Sequence, residues 1–247
     1  MNDSVVMPII GYMNSPYREK FGIPRQPNLV EIESYIEMSE PYNDVLAFDG
    51  IEEFSHLWLL WQFHENKNSD NSLNQMSKFR SQVRPPRLGG NQKIGVFATR
   101  SMYRPAPIGL SVVRFKRVEK IGKSVRLYVS GSDLLNGTPI LDIKPYIQYS
   151  DAIQDSISGY AQDEPLRKDV VWTQNAQLQQ SQLLKQSILN KKVLDELEQV
   201  LSLDPRPAYQ NDAERVYGMC FAEVNIRFTV DDQNVTVINV EQTNLKI

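Results

Sequence analysis

SVVRFKRVEKIGKSVRLYVSG, Ser111 to Gly131, is the stretch that sets the class of the fold. Two runs rich in β-branched and apolar residues, SVVRFKRV and SVRLYVSG, flank the turn-like EKIGK, and this order predicts a β-hairpin. In the second run Val125, Leu127 and Val129 fall on one face, so the strand is buried on one side only. Working outward, the first half of the chain reads as short β elements separated by Pro and Gly. MPIIGY opens with an apolar run, and FSHLWLLWQF is compatible with a strand or a buried helix, strand being preferred.

From about residue 160 the texture changes. LQQSQLLKQSILNKKVLDELEQVL places Leu184, Ile188, Val193 or Leu194, Leu197 and Leu201 three to five residues apart, which predicts one amphipathic helix. Pro205 and Pro207 of DPRPAY stop it. YGMCFAEVNIRFTV and NVTVINVE then read as two more strands, joined by a tight turn at Asp231 to Asn234. The expected fold is mainly β with an α+β C-terminal part, divided into residues 1–158 and a smaller domain at 159–247.

The chain has 247 residues, with 41% hydrophobic and 23% charged, the proportions of an ordinary globular protein. Its one cysteine, Cys220, excludes an internal disulfide and a cysteine-rich zinc site, and its apolar setting GMCFAEV marks a buried strand thiol rather than a nucleophile. The start, MNDSVVMPIIGYMNSPY, has no basic region before its apolar stretch, which Pro8 breaks. With no run approaching the roughly 20 apolar residues of a membrane span, a cytoplasmic protein is expected. The net charge of −3 conceals an asymmetry: from Lys78 to Arg126 there are thirteen Lys and Arg against Glu119 alone, so that segment carries +12 and the rest −15. Such a local field attracts polyanions even to an acidic protein.

Four Pro- or Gly-bearing clusters carry residues suited to chemistry: GIPRQPNLV, FSHLWLLWQFHEN, VRPPRLGGNQKIGVFATRSMYRPAPIGLS and SGSDLLNGTPILDIKPY. The third supplies Arg84, Arg87, Arg100 and Arg104, with prolines beside three of them, and reads as a shaped anion-recognition surface rather than a flexible basic tail. No strand followed by a glycine-rich GxGxG loop and a helix is present, so the common Rossmann-like cofactor fold is not expected.

Taken together, SPYREKFGIPRQPNLV, RPPRLGGNQKIGVFATRSMYRPAPIGLS, DLLNGTPILDIKPY and DPRPAY resemble, in the same order and over nearly the whole chain, the TrmO (YaeB or TsaA-like) family of tRNA threonylcarbamoyladenosine methyltransferases. The resemblance implies S-adenosylmethionine-dependent methylation of N6 of N6-threonylcarbamoyladenosine at position 37, in the anticodon loop of tRNA. It also implies a small single-sheet β-barrel in the N-terminal domain and a homodimer. Carried over motif by motif, it assigns the cofactor to Pro24, Arg25, Gln26, His64, Glu65, Arg100, Leu110, Asp133, Leu134, Leu135 and Asn136. Asp133, Asn136, Tyr103 and Tyr209 are candidates for polar help in catalysis. Arg84, Arg87 and Arg104 are assigned to phosphate or to the threonyl carboxylate. DPRPAY brings Arg206 and Tyr209 to the active site, from the same chain or from the partner subunit.

Read without the resemblance, Asp133 and Asn136 are turn formers, His56 is a hydrogen-bonded core histidine, and Trp58 and Trp61 pack. No metal site is expected from two histidines. Two rival functions stay open: a non-catalytic RNA-binding module, and a methyltransferase for another RNA or a small molecule. A hydrolase is the least favoured reading, for want of a GxSxG elbow, paired metal ligands or a Cys and His couple.

Overall fold

A computed structural model describes residues 5–65, 80–207 and 209–243. Lys78 of the basic segment, Asn66 after His64-Glu65 and Ala208 of DPRPAY lie outside the described residues. In chain order the elements begin with β1 (Gly11–Asn14), β2 (Glu33–Met38), β3 (His56–Gln62), β4 (Gln82–Val83) and β5 (Ile94–Gly95). They continue with β6 (Ile108–Ile121), β7 (Ser124–Ser130), β8 (Pro139–Pro145), the single turn α1 (Gln148–Asp151) and β9 (Asp169–Trp172). Last come α2 (Gln174–Lys185), α3 (Lys191–Ser202), β10 (Tyr217–Phe221), β11 (Val224–Val230) and β12 (Asn234–Gln242).

Six strands close into a ring in the order β1-β2-β7-β6-β3-β8, with β8 pairing back to β1. All these pairings are antiparallel. The long β6 makes closure possible: Ile108 to Arg114 pairs with β3, and Arg114 to Ile121 pairs with β7. An irregularity between Phe115 and Arg117 marks the handover, the kind of bulge that lets a strand bend between neighbours. The β6–β7 hairpin forms as expected, through Gly122 at φ +63°, and FSHLWLLWQF is a strand. Period-two alternation turns Leu57, Leu59, Val125, Leu127 and Val129 inward, where with Met13, Ile36, Val113 and Ile140 they form the fully enclosed core of the ring. Each such side chain removed from water contributes about 1.5–3 kcal/mol, so the alternation rather than any single contact holds the ring together.

The second sheet runs β10-β11-β12-β9, and only the β12–β9 pair is parallel. Three expectations need correction. The single amphipathic helix is two, α2 and α3, because Ser187 takes a left-handed φ of +58° and Asn190 starts α3 by accepting from the Val193 N–H at 2.9 Å. Leu189 is buried within the break, so the apolar spacing continues across it and hides it from a periodicity argument. YGMCFAEVNIRFTV is likewise two strands, turned at Ala222 (φ +50°) without the Gly or Asn that marks a tight hairpin. Strand β9 was not anticipated. The tight turn at Asp231 to Asn234 is present, with the Asp231 carboxylate accepting from the N–H groups of Gln233 and Asn234.

Tyr17, Val30 and Ile32, from the segment between β1 and β2, are buried in the core of this second sheet with Leu197, Phe221 and Phe228. The Tyr17 and Phe221 rings meet edge to face at 6.0 Å. The N-terminal segment thus links the two cores.

Candidate active site

One end of the ring gathers most of the residues expected to bind the cofactor. There β1 and β3 leave the ring, β6 and β8 enter it, and β7 gives way to the loop before β8. Antiparallel order therefore brings residues 20–26, 61–65, 99–110 and 133–138 together. They line a cavity of about 550 Å³, within the usual range for small-ligand sites. Its walls mix Ile23, Phe63, Met102, Leu110 and Leu135 with four cations, Lys20, Arg25, Arg100 and Arg104, and two carboxylates, Glu65 and Asp133.

Trp61 and Gly109 face each other across β3 and β6. The indole lies so close to Gly109 that a Cβ there would stand 2.2 Å from the ring, so this wall admits only glycine. The Trp61 Nε1–H donates to Ser111 Oγ at 3.0 Å, and the Ser111 hydroxyl donates to Asp133 Oδ1 at 2.6 Å. Burial pushes the Asp133 carboxyl up from 3.8 to about 6, against the Ser111 hydrogen bond and the Arg100 charge, which both favour the anion. Burial lowers the His64 imidazole, against the nearby Glu65 charge and with the Lys20 charge, which favours its neutral form.

The cations are fixed by their neighbours. Arg100 donates to Gln26 Oε1 at 2.5 Å, Arg104 to the Thr99 carbonyl at 2.9 Å, and Arg25 to the Arg206 carbonyl at 3.1 Å. Lys20 donates to the Glu65 carbonyl. Prolines and short polar contacts thus hold donors toward the cavity before any ligand arrives, which lowers the cost of ordering them on binding.

Of the residues assigned to the cofactor, Pro24, Arg25, Gln26, His64, Glu65, Arg100, Leu110, Asp133 and Leu135 line this cavity, and so does Arg104. Two do not. Leu134 is fully enclosed in the ring core, because the alternation of the loop points it inward. Asn136 braces the wall instead, its side-chain oxygen accepting from the Ser15 N–H and its own N–H reaching the Tyr17 carbonyl. Tyr103 stands outside, half-exposed, with the Arg80 guanidinium 5.4 Å from its ring centre. Arg84 and Arg87 are exposed beyond the lining. Tyr209 is exposed, with its ring against Gly90 of the arginine-rich loop.

Arg206 departs most from the expectation of an RNA contact. Its guanidinium is buried, bound to Asp204 at 3.0 Å and to the Val230 carbonyl at 3.2 Å. Lys20, Met102 and Thr138 line the cavity without having been singled out, and Trp61, expected only to pack, lines it too; the fold alone places them there. Trp61 packs and Trp58 donates to Asp151, in keeping with their reading as packing residues. His56 is only half-buried and pairs with Ser55. The Cys220 thiol is buried in β10, and burial pushes it up, away from the thiolate a nucleophile needs. Among the described residues no cluster of three or more His, Cys, Asp or Glu side chains is placed to hold a metal, and no helix is long and apolar enough to cross a membrane.

The class these features define is a mainly β protein with a small-ligand cavity at the end of a closed strand ring, beside an arginine-rich loop. Residues 12–152 match the family described as tRNA-methyltransferase O N-terminal domain, and residues 165–243 match the TrmO C-terminal domain. This chain belongs to the TrmO family. A protein of Escherichia coli K12 named tRNA (adenine(37)-N6)-methyltransferase is 40% identical over 235 residues, covering 94% of this chain and 96% of that one. A Pseudomonas aeruginosa protein named as a putative S-adenosylmethionine-dependent methyltransferase, RcsF, is 42% identical over 221 residues, covering 89% and 90%. The crystal structure of TrmO from Pseudomonas aeruginosa superposes with a TM-score of 0.75 at 34% identity, covering 96% of this chain and 98% of that one.

Proposed function

We propose that this chain transfers a methyl group from S-adenosylmethionine to N6 of adenosine 37 in tRNA, with the donor held in the ring-end cavity. The observation that carries the reading is the adjacency of that cavity to the cationic rim: Arg100 and Arg104 of the arginine-rich segment are themselves part of its lining. The named relatives act on adenine 37 of tRNA or are named for S-adenosylmethionine.

The residues present fit the donor. Apolar Met102, Leu110 and Leu135 suit an adenine face, the guanidinium groups suit a carboxylate, and Asp133 suits ribose hydroxyls or an ammonium. When bound, S-adenosylmethionine supplies an electrophilic methyl group on a sulfonium centre. An exocyclic adenine amine is a weak nucleophile, so the protein's part is to align it and to receive its proton. Alignment in well-oriented systems lowers a barrier by about 7–11 kcal/mol. Of the four candidates for polar help, Asp133 alone faces the cavity, and a carboxyl near 6 is poised to hold a proton or release it close to neutrality. Asn136 holds the wall that carries it. Tyr103 and Tyr209 are exposed rings beside arginines or the arginine-rich loop, suited to stacking on splayed loop bases. Arg84 and Arg87 are the phosphate contacts. Arg104 is assigned to the threonyl carboxylate, which makes N6-threonylcarbamoyladenosine the preferred substrate.

The same reading takes the six-strand ring as a small barrel, divides the chain at residues 1–158 and 159–247, and places a homodimer in the cytoplasm. Tyr149, Ile153, Ile157 and Leu166, all largely exposed, leave apolar surface that a second subunit would cover.

The test is to incubate the protein with labelled S-adenosylmethionine and tRNA from cells with and without the threonylcarbamoyl modification, then identify the labelled nucleoside. Label is expected on the N6-methylated form of the modified nucleoside, and only in the modified pool. Arg104→Ala is expected to lower the ratio between pools; an unchanged ratio removes that role from Arg104.

A further inference from the structure

The hydrogen bonds around Asp133 can be directed without ambiguity, because one member of the chain has only one way to act. An indole nitrogen donates and never accepts, and a serine hydroxyl has one hydrogen to give. Trp61 Nε1–H donates to Ser111 Oγ, and an ionised carboxylate has no hydrogen to give, so the Ser111 hydroxyl donates to Asp133 Oδ1. Both partners are buried, Ser111 at 1% exposure and Trp61 at 8%, so solvent does not supply an alternative. The arrangement follows from the strand register. Trp61 lies opposite Gly109 and Leu59 opposite Ser111, which makes Trp61 and Ser111 diagonal neighbours across β3 and β6. Gly109 gives the indole room to lie flat and reach the hydroxyl.

We propose that Ser111, oriented by Trp61, is a positioning residue that locks one oxygen of the Asp133 carboxylate as an acceptor and leaves the other to exchange a proton at the cavity. The proposal rests on the reading of Asp133 as the polar group of the methyl-transfer site. When ionised, Asp133 accepts from Ser111, and that bond favours the anion. The charged and titratable groups around it are Arg100, which also favours the anion, Tyr17 behind it, and Lys20, Arg25, Arg104, Glu65 and His64 on the remaining walls. Among the described residues Ser111 is the side chain that hydrogen-bonds the Asp133 carboxylate, which also accepts from its own backbone N–H.

The experiment is a pH titration of the Asp133 carboxyl by carbon NMR in the ligand-free protein, with the signal assigned by Asp133→Asn, alongside pH profiles of methyl transfer. In Ser111→Ala the Asp133 midpoint is expected to rise by about one unit, the worth of a hydrogen bond to a charged group. The acid limb of kcat/KM moves up with it, and activity recovers as pH rises. Ser111→Thr keeps the hydroxyl and stays near wild type. Trp61→Phe frees the hydroxyl to turn away and shifts the midpoint in the same direction, so it carries the test if Ser111→Ala does not fold. An unmoved midpoint in both Ser111→Ala and Trp61→Phe overturns the proposal, as does an activity loss equal at every pH. A wild-type protein that methylates no tRNA would defeat the function proposed above while leaving the titration readable.

Discussion

Asp133 combines a functional position with a thermodynamic cost. Its pKa is raised from 3.8 to about 6, so between those values the folded protein binds more protons than the unfolded chain. Stability from this group is therefore present at low pH and is lost as pH rises through about 6. Asp133→Asn, which removes the buried charge and keeps an oxygen for Ser111, is expected to raise stability at pH 7.5 by on the order of 2 kcal/mol while cutting methyl transfer sharply. Denaturant melts at pH 5 and 7.5 check it: the gain should shrink at the lower pH. The sequence marked Asp133 as a turn former in SDLLNG and the family resemblance gave it a role, but neither revealed the Ser111 and Trp61 bonds, which depend on the register between β3 and β6. Arg206 shows the converse. The motif DPRPAY says nothing of where its guanidinium points, and the fold turns it inward onto Asp204 and Val230.

At the scale of elements, strand alternation was the most legible feature. FSHLWLLWQF and the Ser111 to Gly131 hairpin formed as strands because their apolar residues recur every second position and have a core to enter. The break between α2 and α3 was illegible for the same reason: Leu189 keeps the apolar series going where the backbone departs from helix. Asn190→Ala removes the cap of α3 and is expected to cost about 1 kcal/mol, read from denaturant melts. The arginine-rich segment owes its shape to Pro85, Pro86 and Pro105 and its role to charge. An Arg84→Ala, Arg87→Ala double variant is expected to bind tRNA more weakly and to reduce the slope of log affinity against log salt by about 2, leaving donor binding unchanged. An unaltered slope would assign the phosphates to other cations.

Across the whole molecule, two cores meet through the segment from Tyr17 to Ile32, which leaves the ring, lines the cavity with Pro24, Arg25 and Gln26, and anchors in the second sheet. Arg25 ties the cavity wall to the Arg206 carbonyl, so the C-terminal part supports the site although the described lining residues all lie between Lys20 and Thr138. A fragment of residues 1–158 leaves Tyr17, Val30 and Ile32 without cover and is expected to melt well below the full chain, as circular dichroism would show. None of this was visible in the sequence, where the two halves differ in texture but carry no sign of which residues cross between them.

The central claim is that the end of the strand ring holds the methyl donor. Ultraviolet cross-linking of labelled S-adenosylmethionine to the full chain, followed by digestion and mass mapping, tests it most directly. Label is expected in peptides covering residues 20–26, 61–65, 99–110 or 133–138. Label confined to β10, β11 and β12, or no competable label at a donor concentration that supports methyl transfer, would contradict it.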